Sequence, residues 1–249
     1  MKLYYILAFG TLLCSQLCSS ASAAMASEEP YNSGIVIRWK DCKQRIDGFG
    51  IAQAGWAKEL FAFKNREQVM DKMFGKDGLR LNILRGEIFP HYWENETDKD
   101  FNLNDDIHIE LSDSDFINKS DDLLRRGQLW LTLKAKNKYH ISKLVFSTWS
   151  APAWMKSNGK VSNGRLKTEC YTDFANYLAA FYNAYKSKGI APYAISPSNE
   201  PGYAAPWNSS LWTADEMGKF ITSYLGPTFQ KENIPAKIIF GENPLWSVC

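Results

Sequence analysis

The stretch GLRLNILRGEIFP, residues 78–90, decides the fold. It opens on Gly, runs through nearly continuous apolar residues and stops at Pro, the pattern of a strand buried on both faces. Its two late charges, Arg85 and Glu87, fall at its C-terminal end. Outward from it the chain alternates. Residues 65–74 read as a helix closed by Gly75, residues 121–138 as a second, and ISKLVFSTWSAPAW, residues 141–154, as a strand running into a loop. The clearest helix spans residues 167–188, where Phe174, Tyr177, Leu178, Phe181 and Tyr185 recur at steps of three and four and Gly189 lies just past the end. The strand APYAISPSNEP, a helix from about Thr213 with Asp215 and Glu216 in its first turn, and the strand AKIIFGEN complete the series.

Strand, helix, strand, helix with buried strands predicts parallel β/α units. No Gly-rich phosphate loop follows the first strand, which argues against a dinucleotide fold. Gln53, Arg85 with Glu87, Trp149, Asn199 with Glu200, and Glu242 all fall at the C-terminal ends of expected strands. In a (β/α)8 barrel that rim is where active sites are built. The expected fold is therefore α/β, a (β/α)8 TIM barrel over residues 42–249 of which about the first five β/α units are present. A doubly wound open sheet is the alternative. Residues 35–41, beginning Ile-Val-Ile-Arg-Trp, read as one strand of a side β-domain.

The chain has 249 residues, 45% hydrophobic and 22% charged, with a formal charge of +2. That is enough for one sizeable core, and the charge is too near zero for nucleic acid or an anionic membrane to be the main partner. Lys2, a short apolar run and the small residues Ala21-Ser22-Ala23 read as a secretory signal peptide over residues 1–23, followed by a polar leader over 24–34. The apolar run is too short to span a membrane. A lipid-anchored Cys14 is the lesser reading, because Thr-Leu-Leu precedes it. The expectation is a secreted protein. Cys42, Cys170 and Cys249 fit no metal motif, and His91, His108 and His140 are dispersed, so no cofactor or metal is expected. The acidic segment 98–115 reads as a solvated loop rather than a calcium site. Asn95, Asn118 and Asn208 head sequons that matter only in a eukaryotic secretory pathway.

The stretch AISPSNEP, residues 194–201, carries the chemistry. Glu200 follows an apolar strand and precedes Pro, so it is held in place. Glycoside hydrolysis needs a carboxylic acid to protonate the leaving oxygen and a second carboxylate for the oxocarbenium-like centre. Asn199 offers a neutral amide to a sugar hydroxyl, and the 14% aromatic content offers flat platforms for sugar rings. Asn-Glu-Pro alone is weak, since a Glu capping the next loop gives the same letters.

Two further motifs add specificity. Residues 147–158, STWSAPAWMKSN, and Asp47-Gly48-Phe49-Gly50, taken with Ser198-Asn199-Glu200-Pro201, closely resemble glycoside hydrolase family 30, whose members include glucosylceramidase-like and cell-wall-polysaccharide-degrading enzymes. The blocks occur in the family's order and cover nearly all the chain beyond the signal. The resemblance implies a (β/α)8 barrel with a side β-domain and double-displacement hydrolysis with retention. It implies Glu200 as acid/base with Asn199 beside it, Trp149 bordering the sugar, and Arg85 as the arginine that orients the nucleophile. Trp207, Trp212, His91 and Tyr92 are candidate substrate contacts, and Trp154 reads as packing or a second platform. The nucleophile of the family ends the seventh strand, and only five strands are counted here, so no nucleophile is expected in this chain; Glu242 is an unlikely substitute. The chain thus reads as a fragment of a longer enzyme acting on a polysaccharide or glycoconjugate. Three functions stand open: a secreted retaining hydrolase of xylan, β-1,6-galactan or β-1,6-glucan; a glucosylceramidase-type exo-β-glucosidase; and a non-catalytic carbohydrate-binding or inactive truncated product.

Overall fold

The computed structural model describes residues 38, 40–41, 43–53, 56–93, 97 and 123–243. The signal peptide, the leader and most of the strand expected over 35–41 lie outside them. The chain divides into two units, one of them Leu7–Asp47. In its described part, Asp41 N–H donates to Arg38 O at 3.0 Å and Lys43 pairs with Asp41 at 2.6 Å.

The other unit, from Gly48 onward, holds five parallel strands in sequential order: β1 (Gly50–Ala52), β2 (Ile83–Ile88), β3 (Lys143–Thr148), β4 (Ala194–Ser196) and β5 (Lys237–Ile238). Between them run α1 (Ala57–Ala62), α2 (Arg66–Phe74), α3 (Leu123–Tyr139), α4 (Tyr171–Ser187), α5 (Ala214–Phe220) and α6 (Gly226–Lys231), the last two joined by a π-helical turn, Ile221–Leu225. Strand order equal to chain order, with a helical crossover at each step, is the arrangement of a β/α barrel. It excludes the doubly wound alternative, whose strand order reverses part-way.

Register assigns each residue a face. Ile83, Arg85 and Glu87 of β2 align with Lys143, Val145 and Ser147 of β3. Val145 and Ser147 align with Ala194 and Ser196 of β4. Low on this inner face Ile83, Val145, Ala194 and Ile239 pack together. The other face, with Leu84, Ile88, Leu144, Phe146 and Ile195, is covered by the helices and joins the main core. There α4 supplies Phe181 and Tyr185, whose rings lie 5.1 and 5.0 Å from that of Phe146 and 4.3 Å from each other.

The periodic helices appear where the sequence places them. α4 starts at Tyr171 rather than at 167, because residues 168–170 form a tighter 3-10 turn. α5 is closed at its start by a reciprocal cap between Thr213 and Glu216. α1 has no counterpart in the sequence reading; at six residues it is too short to display a helical period. Gly86 is required for packing. A Cβ there would lie 2.7 Å from the Phe146 ring and 2.8 Å from Gln128 Oε1. The open space lets Gln128 of α3 accept from Glu87 N–H and donate to Glu87 O, both at 2.7 Å, continuing the β2 ladder beyond the end of β1.

Candidate active site

The C-terminal rim of the inner face is polar and tied to one guanidinium. Arg85, half-buried on β2, donates through Nη2 to Asn199 Oδ1 at 2.7 Å and to Glu242 Oε2 at 2.6 Å. Ser147 Oγ donates to the same carboxylate oxygen at 3.2 Å. The guanidinium lies 4.6 Å from the centroid of the Trp149 ring, a cation–π contact. One side chain of β2 therefore unites residues from the ends of β3, β4 and β5. The Arg85 and Glu242 side chains are only 18% and 12% exposed, so little solvent screens the pair.

Glu200 and Asn199 are placed by the backbone that leaves β4. Asn199 N–H donates to Thr148 O at 2.6 Å, and Thr148 Oγ1 donates to Pro197 O at 2.6 Å, so the ends of β3 and β4 stay locked beyond the last ladder pair. Glu200 is half-buried and has a left-handed backbone with φ 46°. Tyr203 N–H donates to its carbonyl at 2.9 Å, and Trp212 N–H donates to Pro201 O at 2.7 Å. The loop carrying Glu200 thus turns sharply and closes back on itself.

Beside Arg85, Glu87 is 8% exposed on the inner face. Burial raises its pKa to about 7, opposed by the Asn208 side chain, which hydrogen-bonds its carboxyl, and by the charge of Arg85. A carboxyl of this kind holds a proton near neutrality. Sequence reading placed Glu87 on the rim without giving it a role, and did not find Ser147 or Asn208 as contacts. The i, i+2 spacing of Glu87 from Arg85 and the register of Ser147 were the available signals.

Several expectations are corrected. Gln53 points away from the rim: its Nε2 donates to Thr132 Oγ1 of α3 at 3.0 Å, since it falls on the outer parity of β1. Tyr92 is 5% exposed and packs on Phe89, Tyr177 and Phe181. Trp212 is 7% exposed among Tyr171, Phe174 and Phe220, so it is core rather than groove lining. Trp154 is half-buried and donates to Trp93 O at 3.3 Å. His91 is exposed, and Trp207, 53% exposed, faces Tyr203 with ring centroids 6.2 Å apart. Neither His91 nor Trp207 has a described contact with Arg85, Asn199 or Glu242. Asn95, Asn118, His108 and the acidic segment 98–115 lie outside the described residues. Among the described residues no group of three or more His, Cys, Asp or Glu could hold a metal, and no helix is long and apolar enough to cross a membrane.

Parallel strands in chain order, with an arginine–carboxylate–amide cluster at their C-terminal ends, are the arrangement of a β/α-barrel domain with polar residues gathered at the rim where such folds build sites. The domain model for the glycosyl hydrolase family 30 TIM barrel matches residues 46–240, and the chain belongs to that family. Glucuronoxylanase XynC of Bacillus subtilis (strain 168) is 27% identical over 93% of this chain and 46% of its own length. Lysosomal acid glucosylceramidase of Mus musculus is 27% identical over 79% of this chain and 39% of its own. The solved structure of the endo-β1,6-glucanase BT3312 superposes with a TM-score of 0.62 at 25% identity, covering 79% of this chain and 44% of that one. The chain therefore spans less than half the length of each of these relatives.

Proposed function

We propose that this chain is the acid/base-bearing part of a secreted, retaining β-glycosidase acting on a cell-wall polysaccharide of the xylan, β-1,6-galactan or β-1,6-glucan type. The observation that carries the reading is the cluster in which Arg85 joins Asn199 to Glu242, with Glu200 next in the chain to Asn199. Glu200 protonates the departing glycosidic oxygen and later removes a proton from the attacking water. Asn199, its amide oxygen fixed by Arg85, keeps its NH2 group for a sugar hydroxyl. Trp149 supplies a flat face beside them. The nucleophilic carboxylate belongs to the seventh strand of the barrel, beyond the five described here, and Glu242 keeps Arg85 in place.

The test is a panel of glucuronoxylan, β-1,6-glucan, β-1,6-galactan and glucosylceramide with the full-length protein, with products sized and their first-formed anomer read by NMR. Polymer cleavage with retention is expected, and Glu200→Gln should lower kcat/KM on these substrates by about 10²–10⁴-fold. Unchanged turnover in that variant would remove Glu200 from the chemistry. Glucose as the sole product, from glucosylceramide alone, would favour the exo-acting reading that the mouse relative suggests.

A further inference from the structure

We infer that Lys156 is a positioning residue for the proton donor, fastening the loop after β3 to the loop after β4 on which Glu200 stands. The inference rests on the proposed acid/base role of Glu200. Lys156 is fully buried, at 0% exposure. Its Nζ donates to Ser150 Oγ at 3.0 Å, to Val161 O at 3.4 Å and to Ser209 O. These acceptors match the three donors of an ammonium, and they come from both loops. Among the described residues no carboxylate is paired with it, and burial pulls its pKa down to about 8. A buried ammonium without a counter-ion costs stability. A methionine would fill the same space without that cost but would offer no donor.

The position it grips is a junction. Ser209 N–H donates to Val161 O at 3.0 Å, Asn163 N–H to Ser209 Oγ at 2.9 Å, and Leu211 N–H to Gly164 O at 2.9 Å. Ser162 and Asn208 form an isolated antiparallel bridge, so the two loops run as a short ribbon. Asn208, the neighbour of Ser209, reaches the Glu87 carboxyl on β2. Beyond Ser209, the Trp212–Pro201 bond returns the loop to the residue that follows Glu200. A displacement at Lys156 is therefore transmitted through Ser209 to the backbone of Glu200.

Dinitrophenolate departs without a proton, whereas an alkoxide or sugar oxygen needs one from Glu200. The experiment measures kcat/KM of the full-length protein for the dinitrophenyl and the methyl glycoside of the sugar it cleaves. For Lys156→Met the methyl glycoside should fall at least about tenfold further than the dinitrophenyl glycoside. This ratio does not depend on how much of the variant is folded. Ser150→Ala, which removes one acceptor, should move the ratio the same way by about two- to threefold, and it carries the test if Lys156→Met does not fold. Parallel losses on both substrates, in whichever variant folds, overturn the positioning role. Glu200→Gln is the control. If it shows no leaving-group dependence, the acid/base reading itself falls and takes this inference with it.

Discussion

The two faces of β2 differ more than any two elements of the molecule. Leu84 and Ile88 point outward into a layer where Phe146, Phe181 and Tyr185 interlock, and they are 1% and 0% exposed. Arg85 and Glu87, one residue away from them in the same strand, point inward, where the guanidinium meets Asn199 and Glu242 and the carboxyl of Glu87, hydrogen-bonded by Asn208, keeps its proton near neutrality. The outer face is bound by area and fit, which are indifferent to pH and tolerant of chemistry but not of volume. The inner face is bound by directed charge-assisted contacts, which tolerate small volume changes but not the loss of a partner. A period of two lets one strand serve both purposes.

The contrast can be broken at specific places. Phe181→Ala on the outer side should cost about 3–5 kcal/mol of stability, read by denaturant unfolding, while leaving the leaving-group preference of the folded fraction unchanged. Arg85→Met should do the opposite. With Asn199 and Glu242 released, kcat/KM is expected to fall about 10²–10³-fold, with a smaller loss in Tm. If its Tm fell further than that of Phe181→Ala, the division between faces would be wrong.

Glu87 sharpens the contrast through pH. Between 4.5, the ordinary value, and about 7, the unfolded chain has released this proton and the folded chain keeps it. Stability therefore falls as pH rises through that window, and the full loss, about 3 kcal/mol, is present above it. Glu87→Gln cannot ionise and still offers Asn208 an acceptor. Its unfolding free energy should gain on that of the parent between pH 4 and pH 8, and parallel pH curves would contradict the buried carboxyl. Gly86→Ala is the mildest change and crosses the division. It lies on the outer face, yet its Cβ presses on Gln128, which holds the Glu87 backbone. A loss of about 1–3 kcal/mol is expected, together with a shift in the pH dependence that Glu87 governs.

Legibility in the sequence divided along the same line. β2 was readable because its apolar run is bounded by Gly and Pro, and α4 because its aromatics repeat at helical spacing. The rim was readable as a set of strand ends, and the family motifs carried Asn199, Glu200, Arg85 and Trp149. The face of each rim residue was not readable at Gln53, where a strand of three residues offers too little alternation to fix parity. Nor could spacing separate Trp212 and Tyr92, which finish in the core, from Trp207, which stays exposed; aromatic residues serve either purpose. Contacts made across 41 or 157 residues, such as Gln128 to Glu87 or Arg85 to Glu242, leave no local trace at all.

The left-handed backbone at Glu200 has a consequence for how such a chain can change. Most side chains are disfavoured there by the order of 1 kcal/mol; Gly, which lacks a Cβ, and Asn, whose short amide can hydrogen-bond the local backbone, would suit the conformation better. Selection for robustness alone would then steadily remove the carboxyl from this position. Under the proposed acid/base role, its presence marks a site where thermostability screens and activity screens would pull in opposite directions, and where a hardier descendant of this protein would be an idle one.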